Sequence, residues 1–255
     1  MDATADDLDT RCPLVLLPGT LCDARVFAPL MERLPPRRIS IGDMAGLAST
    51  RALAGRLLER APPVFALIGF SLGAIVALEV AAQVPGRVAG LALIGGNAHA
   101  PTAPDVARRR AEIAAVTSVE RYVGETMWPS YVADQGDERL RRTLIDMGRD
   151  GGHDALRLQT EVALSRADSR PRLGALTMPT LVLAGAADAI NDATVQRRLA
   201  AAIPAATLVL VPGAGHFVLL ERPAACARAV IGWLGSVDDG SAFDEAPLAF
   251  TRERS

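Results

Sequence analysis

The sequence predicts an α/β fold in which a mostly parallel central sheet of about six strands is covered by helices on both faces and interrupted by a helical lid. Three observations support this prediction. Short apolar runs alternate with helical patterns along the 255-residue chain, and 50% hydrophobic content with only 4% aromatic content suits an aliphatic core. Strand-like runs then disappear from residue 97 to residue 176. Apolar strands separated by helices are typical of parallel sheets that are buried on both faces.

The elements follow from these patterns in chain order. Apolar runs predict six strands, at residues 14–17, 38–41, 64–69, 88–94, 180–184 and 207–211. Helical patterns predict helices at residues 24–34, 49–60, 72–84, 192–202 and 222–235. The last of these helices has Pro223 in its first turn, where proline is tolerated, so Glu221 is interpreted as a cap.

The domain organisation is one core divided by an insertion. Residues 13–97 and 177–235 are predicted to form the core, and the Arg-rich helical segments within residues 98–176 are predicted to form the lid. The acidic N-terminal residues 1–12 are expected to be flexible. The tail at residues 236–255, rich in Asp, Gly and Ser, is expected to be disordered.

A Gly-x-Ser-x-Gly pattern lies at the junction of a predicted strand and a predicted helix. Gly69, Ser71 and Gly73 form this pattern. A serine at such a sharp turn presents its hydroxyl outside the sheet, and the flanking glycines let neighbouring backbone pass closely. Ser71 is therefore a candidate nucleophile. The alternative is an ordinary helix N-cap serine.

A nucleophilic serine requires a base and an acid that orients the base. Among three histidines, His216 follows the apolar run 207–211 on a Gly-rich loop, whereas His99 and His153 lie in segments typical of surface or pocket residues. Asp188 follows the predicted strand 180–184 after a short turn. Asp192 is better explained as a helix cap. The order Ser71, Asp188, His216 is that of the α/β-hydrolase arrangement.

Two N–H donors are also needed for the oxyanion that forms when a serine attacks a carbonyl group. The Leu72 amide, next to the nucleophile, is one candidate. The turn after the first strand supplies the second, with Thr20 as the first choice and Leu21 as the next. Together with Ser71, Asp188 and His216, these groups predict acyl transfer.

Composition excludes several other classes of function. The formal net charge of −2 argues against a nucleic-acid-binding protein, which needs a concentrated basic surface. All 27 basic residues are arginine, and the absence of lysine excludes a Schiff-base enzyme, a pyridoxal enzyme and a P-loop NTPase.

The same inventory bears on metal sites, redox chemistry and location. Cys12, Cys22 and Cys226 have no metal-ligand spacing and are expected to be free thiols, with Cys22 interpreted as a small buried hydrophobe or a pocket residue. No metal or cofactor is expected. The acidic N-terminus lacks a signal-peptide pattern, and no apolar segment is long enough to cross a bilayer, so a cytoplasmic protein without a membrane partner is expected.

Four segments together resemble the α/β-hydrolase fold superfamily: Leu-Leu-Pro-Gly-Thr-Leu-Cys-Asp-Ala-Arg-Val-Phe, Gly-Phe-Ser-Leu-Gly, Pro-Thr-Leu-Val-Leu-Ala-Gly-Ala-Ala-Asp and Pro-Gly-Ala-Gly-His-Phe. The resemblance spans residues 13–235 and is closest to small lidded bacterial hydrolases, including carboxylesterases and methyl-ester hydrolases of acyl thioester carriers. It implies a Ser71 nucleophile, an Asp188 acid and a His216 base. It further implies an oxyanion hole formed by Thr20 and Leu72.

The substrate pocket is predicted from apolar residues of the lid and residues beside the catalytic candidates. Its predicted members are Leu21, Phe70, Met127, Trp128, Tyr131 and Phe217. The alternative for the lid residues is simple packing against the core. The lid arginines, including 108–110 and 141–142, are expected to form a solvated face, or to contribute one side chain that meets a carboxylate or phosphopantetheine-type end of a substrate.

These expectations favour a serine hydrolase that cleaves a small or medium carboxylic ester through an acyl-enzyme. One alternative is a thioesterase or acyltransferase that acts on a carrier-bound acyl group. Another is a non-catalytic protein that binds a ligand on a hydrolase fold.

Overall fold

A seven-stranded sheet forms the centre of the molecule in the computed structural model. The structure describes residues 11–240 and 251–254. The strand order is β2-β1-β3-β4-β5-β6-β7. Six strands are parallel, and β7 pairs with β6 in the antiparallel direction. The strands are β1 (Leu14–Leu17), β2 (Ile39–Ile41), β3 (Phe65–Phe70), β4 (Val88–Ile94), β5 (Thr180–Gly185), β6 (Ala206–Val211) and β7 (Thr251–Arg254).

The prediction of a parallel sheet with six strands is confirmed by β1 to β6, each within one or two residues of its predicted bounds. The strands β1, β3, β4, β5 and β6 lie in the core because their side chains are mainly apolar on both faces, whereas the edge strand β2 is largely exposed. In β1, Leu14 and Leu16 pack into one hydrophobic cluster, while Val15 and Leu17 pack into the other. This alternation follows from the two-residue repeat of a strand.

Helices cover both faces of the sheet. One face packs against α1 (Ala28–Met31) and α11 (Pro223–Asp238), and the other packs against α2 (Thr50–Arg60), α3 (Leu72–Gln83) and α9 (Ala193–Ala201). The predicted helix 24–34 is a 3-10 turn at Ala24–Val26 followed by α1, and a second 3-10 turn, Pro85–Arg87, precedes β4. A short α10 (Val218–Glu221) precedes α11.

Between β4 and β5 the chain is helical, and we call residues 98–176 the helical insertion. Its elements are α4 (Ala103–Ala114), α5 (Val119–Arg121), a π-helical turn (Tyr122–Met127), α6 (Trp128–Tyr131), α7 (Glu138–Leu164) and α8 (Arg170–Leu173). The helix α7 is divided by a kink at Gly152, whose φ of 72° lies in the region that favours glycine.

Two parts of the predicted tail, residues 236–255, belong to regular elements of the structure. The helix α11 continues to Asp238, and Thr251–Arg254 form β7. Near the other terminus, the Cys12 amide donates to Asp238 Oδ1 at 3.1 Å, and the buried Arg37 also binds the Asp238 carboxylate, at 3.0 Å. Residues 1–10 of the predicted flexible segment lie outside the described residues. Residues 241–250 and 255 of the predicted tail also lie outside them.

Candidate active site

Ser71 stands at the turn between β3 and α3. Its backbone has φ 52° and ψ −110°, a conformation that a non-glycine residue rarely adopts. The turn fits because Gly69 and Gly73 lack side chains: a Cβ on Gly73 would overlap the Leu17 carbonyl, and one on Gly69 would overlap the Gly73 carbonyl. The Ser71 side chain makes no hydrogen bond that caps α3. The ordinary N-cap interpretation is therefore wrong.

The Ser71 hydroxyl meets the imidazole of His216. The distance from Ser71 Oγ to His216 Nε2 is 2.9 Å, and the distance from His216 Nδ1 to Asp188 Oδ2 is 2.8 Å. His216 and Asp188 are buried, with 1% and 3% of their surfaces exposed. An ionised carboxylate only accepts hydrogen bonds, so Nδ1 donates to Asp188 and Nε2 is left to accept from the serine hydroxyl. This tautomer is the one a general base needs.

Backbone groups hold the Asp188 carboxylate from its other side. The amides of Ile190 and Asn191 donate to Asp188 Oδ1 at 2.7 and 3.0 Å. Asp188 thus directs one oxygen at the imidazole and has the other oxygen fixed. Asp192 instead caps α9 by accepting from two amides of its first turn, as predicted.

The end of β4 provides space for this pair. Gly95 has φ 57°, and a Cβ there would lie 3.2 Å from the His216 ring and 3.6 Å from Asp188 Oδ2. The β4 end carries no carboxylate, and the structure shows that this position lies directly against the His216–Asp188 pair.

The amides predicted for the oxyanion belong to Thr20 and Leu72, which line the same cavity as Ser71. Leu72 is the first residue of α3, and the first N–H groups of a helix have no acceptor within it. The Thr20 amide has no hydrogen-bond acceptor among the described residues. The Leu21 amide, the second choice, is occupied because it donates to Gln159 Oε1 of α7 at 2.8 Å. Leu21 is therefore excluded as the donor, and Gln159, which the sequence did not single out, supports the turn that carries Thr20.

A cavity of about 570 Å³ opens beside Ser71. Of the six predicted pocket residues, Tyr131 lines it. The other five are buried and are not among its lining residues; they are Leu21, Phe70, Met127, Trp128 and Phe217. For Met127 and Trp128, packing in the core is the interpretation that the structure supports.

Two of the predicted aromatic residues pack against the imidazole of His216. The Phe70 ring lies 5.4 Å from the imidazole, and the Tyr131 ring meets it edge-on at 5.1 Å, in both cases between ring centroids. Phe217 packs against Phe70, with 5.6 Å between ring centroids. These rings restrict the orientation of His216 by packing.

The cavity wall is charged. Arg108, Arg109 and Arg166 line it together with Asp105 and Glu112. Arg108 is largely exposed, with 70% of its side-chain surface accessible, as expected for a solvated face, whereas Arg109 is more buried, at 26%. Arg166 is one of the lid arginines, although the sequence did not single it out. His99 also lines the cavity, consistent with a pocket histidine.

The loop that carries His216 is joined to the helical insertion. The His216 amide donates to the Tyr131 carbonyl at 2.7 Å. The Glu221 carboxylate accepts from the amides of Ala133 and Gly215 at 2.8 and 3.0 Å. Glu221 is thus a link between the loop and the insertion, and the prediction that it caps a helix is wrong. Burial raises the pKa of this carboxyl group, although the two amides partly oppose the rise.

The cysteines are free thiols, as predicted. Cys22 lies close to the Thr20 carbonyl, at 3.3 Å, and burial raises the pKa of its thiol to about 12. Within residues 11–240 and 251–254, no group of three or more His, Cys, Asp or Glu side chains could hold a metal ion. No helix in the same part of the chain is both long and apolar enough to cross a membrane.

Comparison with known proteins identifies the family. The family model for serine aminopeptidase, S33, a hydrolase family, matches residues 48–223. The chain belongs to this family of α/β-hydrolases. The predicted resemblance to this superfamily is confirmed.

Individual relatives agree with this assignment. A pimeloyl-[acyl-carrier protein] methyl ester esterase of Xanthomonas oryzae is 30% identical over 244 residues, which cover 88% of this chain and 95% of the relative. An esterase of Chromobacterium violaceum with the same name is 29% identical and covers 90% of this chain and 97% of the relative.

Solved structures share the fold. A thermophilic esterase from Thermogutta terrifontis, determined with malate bound, superposes with a TM-score of 0.78 at 24% identity, covering 89% of this chain and 90% of that one. The enol-lactonase of Burkholderia xenovorans superposes with a TM-score of 0.75 at 21% identity, covering 88% and 92%.

Proposed function

We propose that this hydrolase cleaves small or medium carboxylic esters with Ser71 as nucleophile, His216 as general base and Asp188 as the acid that orients His216. The observation that carries the proposal is the continuous Ser71–His216–Asp188 hydrogen-bonded chain, at 2.9 and 2.8 Å, at a strained strand-to-helix turn. The names of the curated relatives, which are methyl ester esterases, support esters as the substrates.

The reaction begins when Ser71 Oγ attacks the ester carbonyl carbon and His216 Nε2 takes the hydroxyl proton. The Thr20 and Leu72 amides stabilise the oxyanion, and Asp188 stabilises the imidazolium. His216 then gives its proton to the departing alcohol, leaving an acyl group on Ser71. Water then attacks the acyl carbonyl carbon while His216 Nε2 takes a proton from the water. As the bond to Ser71 Oγ breaks and the carboxylic acid leaves, His216 returns that proton to Ser71 Oγ.

The helical insertion acts in this proposal as the lid of the site. It supplies Tyr131, Arg109 and Arg166 to the cavity wall. Exclusion of water by such a wall strengthens the electrostatic interactions inside the site. The substrate is a small-molecule ester that enters the cavity between the insertion and the sheet.

Labelling with a fluorophosphonate probe tests the nucleophile. The wild-type protein should be labelled at one residue, Ser71, as identified by mass spectrometry, and Ser71→Ala should lose both labelling and hydrolysis of methyl and p-nitrophenyl esters. Ser40→Ala, at an exposed serine on β2, is the matched control and should retain both. Ester hydrolysis that survives in Ser71→Ala would refute the proposal. Binding of esters without turnover by the wild-type protein would favour the ligand-binding alternative.

A further inference from the structure

Arg166 is a fixed cation in the wall of the cavity that contains Ser71. Its Nε donates to the His99 carbonyl at 2.6 Å, and its Nη1 donates to the Ala163 carbonyl at 2.5 Å. A guanidinium group has five N–H donors. Two are used by these carbonyls, so the group is held in place while three donors, on Nη1 and Nη2, have no hydrogen-bond acceptor among the described residues.

The other two arginines of the cavity are neutralised by its two carboxylates. Arg108 lies 3.3 Å from Asp105, which also accepts from the Thr102 hydroxyl at 2.6 Å. Arg109 lies 2.8 Å from Glu112.

Arg166 forms no ion pair with any residue in the described part of the chain, so the lining has one positive charge in excess. Burial lowers the pKa of the Arg166 guanidinium, and the charge of Asp105 offsets this only in part. A partly buried cation without an ion-pair partner favours binding of an anion, since desolvation of a charge is costly unless the charge is paired.

We propose that Arg166 binds a free carboxylate of the substrate, so that the preferred substrates are esters that carry one negative charge apart from the scissile bond. This inference rests on the proposed function of Ser71. One excess positive charge matches one carboxylate, whereas a phosphate dianion would leave an excess negative charge beside Asp105 and Glu112. Arginine also suits a carboxylate because its N–H groups can form paired, charge-assisted hydrogen bonds.

The test compares charged and neutral esters of matched shape. On the acyl side, monomethyl adipate is compared with its neutral monoamide, methyl adipamate. On the alcohol side, butyryl glycolate is compared with propyl butyrate. For each pair the readout is the ratio of kcat/KM for the charged ester to kcat/KM for the neutral one.

In the wild-type protein this ratio should exceed one in at least one pair. In Arg166→Gln the ratio should fall roughly 10- to 100-fold, because hydrogen bonds to a charged group are lost. The loss should appear mainly in KM for the charged ester. Arg166→Lys keeps the charge without the planar fork and should give an intermediate ratio.

Arg110→Gln is the matched control. Arg110 lies on the same insertion and pairs with Glu161 at 2.7 Å, but it is not among the residues that line the cavity. Its removal should leave the ratio unchanged. If Arg166→Gln does not fold, inhibition of the wild-type protein replaces it: adipamate, the monoamide that carries one carboxylate, should inhibit hydrolysis of the neutral ester more strongly than the neutral adipamide does.

The outcomes separate this inference from the proposed function. Turnover of neutral esters, with no preference for either charged ester and equal inhibition by adipamate and adipamide, would overturn the role of Arg166 and leave the Ser71 proposal intact. An equal fall of the ratio in Arg110→Gln would assign the effect to the general charge of the insertion and would also overturn it. Loss of Ser71 labelling and of all ester turnover would instead refute the proposed function.

Discussion

Gln159 connects the helical insertion with the turn that carries Thr20, and its replacement tests that connection. Gln159→Met keeps the length of the side chain and removes the oxygen that accepts from the Leu21 amide at 2.8 Å. Gln159 and Leu21 are each 5% exposed, so the amide would lose its acceptor in a place that water barely reaches.

The size of the expected loss in stability follows from this burial. A buried donor left without an acceptor costs about 1–3 kcal/mol. For a chain of this size, that corresponds to a fall in Tm of roughly 2–12 °C, since 1 kcal/mol shifts Tm by about 2–4 °C. Leu21, at φ 56°, is also held in an unfavourable backbone region that the hydrogen bond to Gln159 helps to maintain. Its relaxation would displace the neighbouring Thr20 amide.

Loss of one oxyanion donor typically lowers kcat by about 100- to 1,000-fold. Partial displacement of Thr20 in Gln159→Met should therefore lower kcat by roughly tenfold or more, with KM for a neutral ester little changed. Thermal unfolding followed by circular dichroism and steady-state hydrolysis of a p-nitrophenyl ester measure the two effects.

Thr160→Val is the matched control on the same turn of α7. The Thr160 hydroxyl is buried and has no hydrogen-bond partner among the described residues, so its removal should be neutral or stabilising. An unchanged Tm and an unchanged kcat in Gln159→Met would refute the reasoning, as would an equal loss in both variants.

Three further predictions concern Glu221, Gly95 and Cys22. Glu221→Ala should lower Tm by about 2–4 °C or more and reduce kcat, because the amides of Ala133 and Gly215 lose their acceptor. Glu221→Gln should retain most activity. Since folding raises the pKa of Glu221, the wild-type protein should gain stability relative to Glu221→Gln as pH falls through the folded-state pKa; a constant difference in Tm across that range would contradict the assignment. Gly95→Ala should reduce kcat by a larger factor than its fall in Tm accounts for, because the added methyl group presses on the imidazole at a left-handed backbone position. Equal kcat for the wild-type protein and Gly95→Ala would count against this prediction. Cys22, with a pKa of about 12, should resist iodoacetamide at pH 8 in the folded protein and react after denaturation, and rapid labelling of the folded state would show that the thiol is accessible.

The sequence was most informative where local chemistry imposes the structure. The strands could be predicted because runs such as residues 88–94 are apolar on both faces. The serine turn could be predicted because its steric demands leave glycines at fixed positions, Gly69 and Gly73. Asp188 and His216 follow strands that end at the same edge of a parallel sheet, which places their loops near Ser71.

The features that sequence reasoning missed depend on contacts between distant segments. Gln159 meets Leu21 across 138 positions of the chain, and Glu221 meets Ala133 across 88. Nothing near Gln159 or Glu221 in the sequence indicates such a partner. The pocket prediction failed for a related reason: large apolar side chains such as Trp128 are buried against the core, and the cavity wall is formed instead by residues with polar or charged ends, such as Arg166.

The joint between the His216 loop and the helical insertion limits how this enzyme could be altered. A Cβ on Gly215 would lie 2.8 Å from both the Tyr131 carbonyl oxygen and the Ala133 amide nitrogen, so the two segments fit together without spare room. An insertion transplanted from another hydrolase would have to reproduce the backbone at residues 131–133 before it could change specificity. Variation in substrate range should therefore arise more readily on α4 and around residue 166, which reach the cavity without supporting the histidine.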